Sequence, residues 1–306
     1  MSSLRTMLAS ITAPFSAPAK DRSETHSCRE DRAEEHCCEE EQLRREDPWF
    51  HEHYVSAADV VASKLRKYMD LNHARLFDFG CGDGIMSLGV NRRATVAVTG
   101  FDLTEVFLHL PDKALNLLRL EKLPETLRFV KVAPGKPLPF ADGSFDAGYS
   151  WSVFEHVADV DGALAEAYRI LKPRAPFFLQ IEPLFASPFG SHLQRLIDEP
   201  WAHLLTDEES YLERTLNAKD SVPDDKKDTL YRKNEFDAVK KYLVGEYRTL
   251  NRITVDQLLS RVLRAGFHIR EMETVHVRKY EIPQALLEER SEYDLRTNEI
   301  QLVITK

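Results

Sequence analysis

Cysteine is scarce in this chain of 306 residues, and its four copies are badly placed for a disulfide framework. Cys28, Cys37 and Cys38 fall in a charged N-terminal stretch and Cys81 in a glycine-rich turn, which points to a reducing, cytoplasmic setting. His26-x-Cys28 and His36-Cys37-Cys38 lack the paired C-x-x-C spacing that makes a zinc site specific, so no metal is expected there. Long apolar runs are also missing. No stretch approaches the roughly 20 residues needed to cross a bilayer, and Pro14 and Pro18 interrupt the first 20 residues, so neither a membrane span nor a secretory signal is expected. An excess of positive charge is absent too: 41 Lys and Arg stand against 50 Asp and Glu, a net charge of -9. A nucleic-acid partner demands a basic face, so none is expected, and Arg92-Arg93 and Lys240-Lys241 read as solvated helix ends.

Glycine is sparse as well, 12 residues in all, yet three fall at alternate positions in Leu76-Phe77-Asp78-Phe79-Gly80-Cys81-Gly82-Asp83-Gly84. An apolar run, an acid and bare backbone describe a strand that feeds a sharp turn against which a ligand can press. A second β-branched run from Thr95 ends at Asp102, about 20 residues beyond the turn, where nucleotide-binding α/β folds place the acid that grips ribose hydroxyls. The dinucleotide fingerprint requires a glycine where Ile85 stands, and no Gly-Lys-Ser/Thr completes a phosphate loop. An adenosine-like ligand outside those two classes remains.

Asp78-x-Gly80-x-Gly82-x-Gly84 and Asp102 resemble the first two motifs of class I S-adenosylmethionine-dependent methyltransferases. Leu138-Pro139-Phe140-Ala141-Asp142-Gly143-Ser144-Phe145-Asp146, then Val153-Phe154-Glu155-His156-Val157, then Glu166-x-x-Arg169-Ile170-Leu171-Lys172-Pro173 are similar to the "type 11" small-molecule branch. The resemblance covers about residues 50 to 185 and resumes from about 251. It implies S-adenosyl-L-methionine as cofactor and S-adenosyl-L-homocysteine as product, with Asp78, Gly80, Cys81, Gly82, Gly84, Asp102, Leu103, Ser150 and Trp151 along the cofactor. Two departures are local. Lys131-Val132-Ala133-Pro134-Gly135 stands where many relatives carry an adenine-binding acid, leaving adenine to apolar packing or backbone groups, and Pro173-Arg174-Ala175 replaces the usual Pro-Gly-Gly.

The order of patterns predicts an α/β fold, Rossmann-like under the resemblance. Its sheet has seven mostly parallel strands with helices on both faces and a helical lid inserted after the fifth strand, and the resemblance implies an antiparallel last strand. Strands are expected near 75–79, 95–101, 127–132, 145–150, 176–181, 267–277 and 300–304. The clearest helix runs from about 160 to 171, with Asp159 or Asp161 as cap and Pro173 as stop. Four regions follow: a mobile charged tail over 1–46, a cofactor-binding core over 47–185, the lid over 186–250 and the rest of the core over 251–306.

Methyl transfer is an in-line displacement, so the protein chiefly aligns reactants and removes water, with a general base where the nucleophile is a hydroxyl. His156, after the fourth strand, is the first candidate base, against a purely structural role in its loop. His192 joins it as a catalytic candidate. Glu155, Glu182, Trp201 and His203 are substrate-side candidates, with loop-ordering or lid-anchoring roles as their alternatives. No convincing metal triad is legible, which argues against metal-assisted transfer. The expected activity is methylation of a hydroxyl, or an amine, on a small metabolite, sugar or natural-product precursor. The alternatives are a non-catalytic cofactor-binding regulatory protein and an enzyme using NAD or ATP. Oligomeric state is left open.

Overall fold

The computed structural model describes residues 40–220 and 235–306. The histidine and cysteine clusters at 26–38, most of the expected tail, and residues 221–234 of the insertion lie outside the described residues. Seven strands lie in the order β3-β2-β1-β4-β5-β7-β6. They are β1 (Arg75–Phe79), β2 (Ala97–Asp102), β3 (Leu127–Lys131), β4 (Ala147–Trp151), β5 (Pro176–Ile181), β6 (His268–His276) and β7 (Thr297–Thr305). β1 to β5 pair in parallel, as the alternating pattern predicts, and β7 runs antiparallel to both β5 and β6, as the resemblance implies.

Strand side chains alternate between faces, and the two faces carry separate cores. Leu76, Val98, Tyr149 and Phe178 join one with α1 (Ala58–Arg66), α2 (Ile85–Ala94) and α3 (Leu110–Leu118). Phe77, Phe101, Phe177 and Leu179 join the other with α4 (Val160–Ile170). The first core extends to Leu43, which is buried within a helical segment at 40–46, so packing starts before the boundary expected at 47. Helix ends follow local chemistry. Asp159 caps α4 by accepting from the Gly162 N–H at 2.9 Å, and Asp47 caps the short helix Pro48–His51 that leads through a π-helical stretch, Glu52–Ala57, into α1.

Between β5 and the last helix of the second core lie α5 (Ala202–Leu205), α6 (Glu208–Leu216) and α7 (Phe236–Tyr247). Leu193, Ile197, Tyr211, Leu243 and Tyr247 give this insertion a core of its own. Lys240 is not the solvated helix end expected from its sequence: its ammonium donates to the Leu216 carbonyl at 2.7 Å and joins α7 to α6. Helix α8 (Val255–Arg264) follows, opened by the Thr254–Gln257 capping box, and completes the second core. Two short helices, α9 (Gln284–Leu287) and α10 (Glu292–Arg296), separate β6 from β7.

The N-terminal helical segment approaches α2 closely enough that a Cβ on Gly89 would stand 2.3 Å from the Tyr54 carbonyl oxygen and 2.9 Å from the Ala58 Cβ. Gly89→Ala should therefore destabilise the protein by about 1–3 kcal/mol through overpacking. Gly245→Ala, on α7 with open space at that point, should cost nothing or gain up to ~1 kcal/mol. Urea unfolding of the two variants side by side checks the contrast, and equal midpoints would contradict the close approach.

Candidate functional site

The carboxyl ends of β1, β2, β4 and β5 form the rim where open α/β sheets bind ligands. After β1 the chain turns through Gly80, Gly82 and Gly84, all at positive φ. At Gly82, with φ +51°, nothing lies within 4 Å of the missing side chain, so bare backbone faces open space. Asp102, at the end of β2, holds that turn: its Oδ2 accepts from the Gly82 N–H at 3.0 Å. Its Oδ1 accepts from the Thr104 N–H and hydroxyl, both at 2.8 Å. One lone pair on Oδ2 stays available for a ligand hydroxyl. Leu103, 54% exposed, lies beside it as an uncovered apolar surface.

Asp78 is buried behind the turn and accepts from the Ser87 hydroxyl at 2.6 Å, which braces β1 against α2. Burial pushes its carboxyl up to about 7. Cys81 is buried and lies against Gly100, and burial raises its thiol well above the usual range. Ser150 is fully buried with its hydroxyl donating to the Phe79 carbonyl at 3.0 Å, and Trp151 packs on Phe178. Of the expected cofactor residues, these two lie in the sheet's packing; the hydroxyl of Ser150 is already committed to β1.

The loop after β4 leaves through Ser152, whose N–H and hydroxyl both donate to the Gln180 side-chain carbonyl at 3.0 Å. Val153 then packs against the glycine turn: a Cβ on Gly80 would stand 2.5 Å from it. Glu155 and His156 follow within the same short loop. His192, arriving from the insertion side, meets His156 edge to face with ring centroids 5.2 Å apart. Burial depresses both imidazoles, His156 to about 4 and His192 to about 3, so both are neutral at physiological pH. One metal-binding atom each from Glu155, His156 and His192 lies within 4.8 Å of the other two. No spacing in the sequence marks this grouping. His156 and His192 are 36 positions apart in the chain, and the packed insertion brings them together.

Glu155 is 3% exposed, and neither of its carboxyl oxygens completes a hydrogen bond. Burial, with the nearby Glu182 charge adding, pushes its carboxyl well above the usual range. Glu182, at the end of β5, accepts from Asn298 at 2.9 Å; burial and the Glu299 charge push it up to about 8. The structure encloses Trp201 in packing. It is 1% exposed, its indole N–H donates to the Leu295 carbonyl at 3.2 Å, and it packs with Leu286. His203 is equally structural: it is buried, its Nε2 meets the Phe185 carbonyl at 2.7 Å, and burial lowers it to about 4.

Two residues that sequence reasoning missed complete the site. Asn251 donates from its side chain to the carbonyls of Phe154 at 2.6 Å and Val157 at 2.9 Å, and from its backbone to that of Glu155 at 2.9 Å. Thr249 receives the His156 ring at 2.8 Å. A lone Asn and Thr at the end of an insertion carry no spacing signal that could have marked them.

Residues 77–179 match the sequence profile of the family described as methyltransferase domain. The sterol 24-C-methyltransferase of Neurospora crassa is 30% identical over 127 residues, 42% of this chain and 30% of that protein. The ubiquinone/menaquinone biosynthesis C-methyltransferase of Rickettsia felis is 34% identical over 118 residues, 37% of this chain and 45% of that protein. The chain thus spans less than half the length of these curated relatives. A provisionally named sarcosine dimethylglycine methyltransferase of Galdieria sulphuraria shares the fold, with a TM-score of 0.51 and 13% identity over 82% of this chain and 86% of that one. No helix among the described residues is long and apolar enough to cross a membrane.

The buried Asp78 makes stability depend on pH with a definite sign. Its carboxyl titrates near 3.8 when unfolded and near 7 when folded, so between those values the folded state binds more protons and this group's contribution falls as pH rises. Asp78→Asn keeps an acceptor for Ser87 and removes the titration. The variant should match the parent near pH 4 and exceed it by up to ~4 kcal/mol near pH 8. Denaturant melts across that range measure the gap, and a gap independent of pH would contradict the buried, protonated carboxyl.

Proposed function

We propose that this chain, whose residues 77–179 match the methyltransferase-domain family, is a class I S-adenosylmethionine-dependent methyltransferase that moves the methyl group of S-adenosylmethionine to a hydroxyl of a small molecule. The observation that carries this assignment is the packing of Val153 in the β4 loop against Gly80 of the glycine turn, in the same loop that brings His156 to His192. The cofactor supplies an activated methyl group on sulfur. In this arrangement Gly80, Gly82 and Gly84 receive the cofactor's methionine part on bare backbone, and Asp102 offers its remaining lone pair to the ribose. Leu103 gives adenine an apolar face, in keeping with Lys131 standing where an acid would reach its amino group.

On the acceptor side, the two imidazoles are neutral and turn lone pairs towards an approaching O–H. Their low proton affinity makes them better at holding and orienting a hydroxyl than at removing its proton outright. In this proposal the described part of the insertion, residues 186–220 and 235–250, acts as the lid, since it supplies His192, meets the β4 loop through Thr249, and encloses the reaction from water. An amine acceptor fits the same lone pairs. Methylation at carbon is the second possibility, favoured by the names of the two curated relatives, both C-methyltransferases.

Asp102→Ala should weaken S-adenosylhomocysteine binding by about 1.5–3 kcal/mol, the scale of charge-assisted hydrogen bonds, and calorimetric titration reads this directly. Unchanged affinity would remove Asp102 from the cofactor. Incubating the protein and a metabolite extract with methyl-labelled S-adenosylmethionine then tests the acceptor, because O-, N- and C-methyl carbons resonate in separate regions of the carbon spectrum. His156→Ala should leave cofactor binding within two-fold and lower label transfer at least ten-fold. Undiminished transfer would take His156 out of the reaction.

A further inference from the structure

The side chains around His156 have one unusual property, which follows from counting protons. Thr249 has a single hydroxyl proton, and its Oγ1 donates it to the Glu246 carbonyl at 2.7 Å. It can therefore only accept from His156, whose Nδ1 lies 2.8 Å away. That fixes the Nδ1–H tautomer and leaves His156 Nε2 as a bare lone pair. At His192 the Nε2 faces the Pro183 carbonyl at 3.4 Å, which can only accept, so Nε2 carries the proton and Nδ1 is bare. Two imidazole lone pairs thus belong to a cluster whose third member, Glu155, is buried with both oxygens unpaired. Two bare imidazole nitrogens and a buried carboxyl without a hydrogen-bond partner make an arrangement that a cation would complete, with the carboxyl proton given up as the ion enters.

We propose that Glu155, His156 and His192 bind a divalent first-row transition-metal ion. Two neutral imidazoles and a carboxylate are the ligand types that such ions share, and they suit magnesium poorly because it prefers oxygen and keeps its waters. The second shell is in place, with the distal nitrogen of each histidine engaged, His156 by Thr249 and His192 by a backbone carbonyl, the usual way of orienting a metal-bound imidazole. Bonds of about 2.0–2.2 Å to the three atoms require the ligands to draw in from their present separations of up to 4.8 Å. Side-chain rotation of the half-buried histidines supplies that adjustment while Asn251 holds the loop. An ion bound by three protein ligands keeps an open position for an oxygen of the acceptor. The site itself stands on these side chains alone; only its use in catalysis rests on the methyl-transfer assignment.

Cobalt(II) is the probe, added to the purified full-length protein stripped with a chelator. One equivalent should bind and give visible absorption of the intensity that low-coordinate cobalt shows, without the near-ultraviolet sulfur charge-transfer band that Cys28, Cys37 or Cys38 would produce. His192→Ala and Glu155→Gln should each weaken binding at least ten-fold, with circular dichroism unchanged. Glu155→Gln replaces an unpaired buried acid by a neutral isostere, so it keeps the test alive if His192→Ala fails to fold. Absence of binding, or binding that survives both substitutions, would overturn the proposal. Titration with S-adenosylhomocysteine separates the two assignments: cobalt bound without it retains the ion site and removes the cofactor, and the converse removes only the ion.

Discussion

Three hydrogen bonds from Asn251 fix the loop after β4, and the geometry of the whole rim depends on them. A loop that leaves a sheet edge-on has backbone carbonyls with no strand to pair with. Asn251 satisfies those of Phe154, Glu155 and Val157 from a single position. Once they are held, Val153 must rest on Gly80, Glu155 must stay buried and His156 must face the insertion. The insertion in turn keeps its place through Thr249 on one side and Trp201 on the other, where the indole reaches the Leu295 carbonyl. Scaffold and insertion are therefore one hydrogen-bonded body at the place where chemistry would occur.

What could be read from the chain alone were features whose cause is local. The glycine turn was legible because positive φ restricts residue choice, and Asp102 because its distance from the turn is set by one helix and one strand. The cap at Asp159 follows from the few residues around it. The triad, the Asn251 clamp and the enclosure of Trp201 were not legible, since each joins segments whose separation in sequence carries no period. Ser150 shows the opposite hazard. Its position in a motif is the expected one, yet the hydroxyl is spent on the Phe79 carbonyl.

The most recognisable motif is largely structural. Arg169 donates to the carbonyls of Leu138 and Phe140 and to the carboxylates of Glu166 and Asp142, and so fastens the Leu138–Asp146 stretch to α4. Fixing a loop with one planar guanidinium needs a particular residue, which explains why that stretch carries the resemblance. The region that supplies His192 and Asn251 lies beyond residue 179, where the family match ends. Similarity to relatives thus covers the scaffold together with the β4 loop that holds Glu155 and His156, and it stops short of His192 and Asn251.

The position of β7 has a consequence for how the protein is made. This strand, Thr297–Thr305, lies between β5 and β6, and β6 has no other neighbour in the sheet. During synthesis β1 to β5 can assemble as they emerge, but β5, buried along its whole length, keeps one edge unpaired until residues near 300 leave the ribosome. An apolar strand edge left open for that interval is the kind of surface on which chains join one another. The interval before the last strand arrives is therefore the time during which the β5 edge needs shielding.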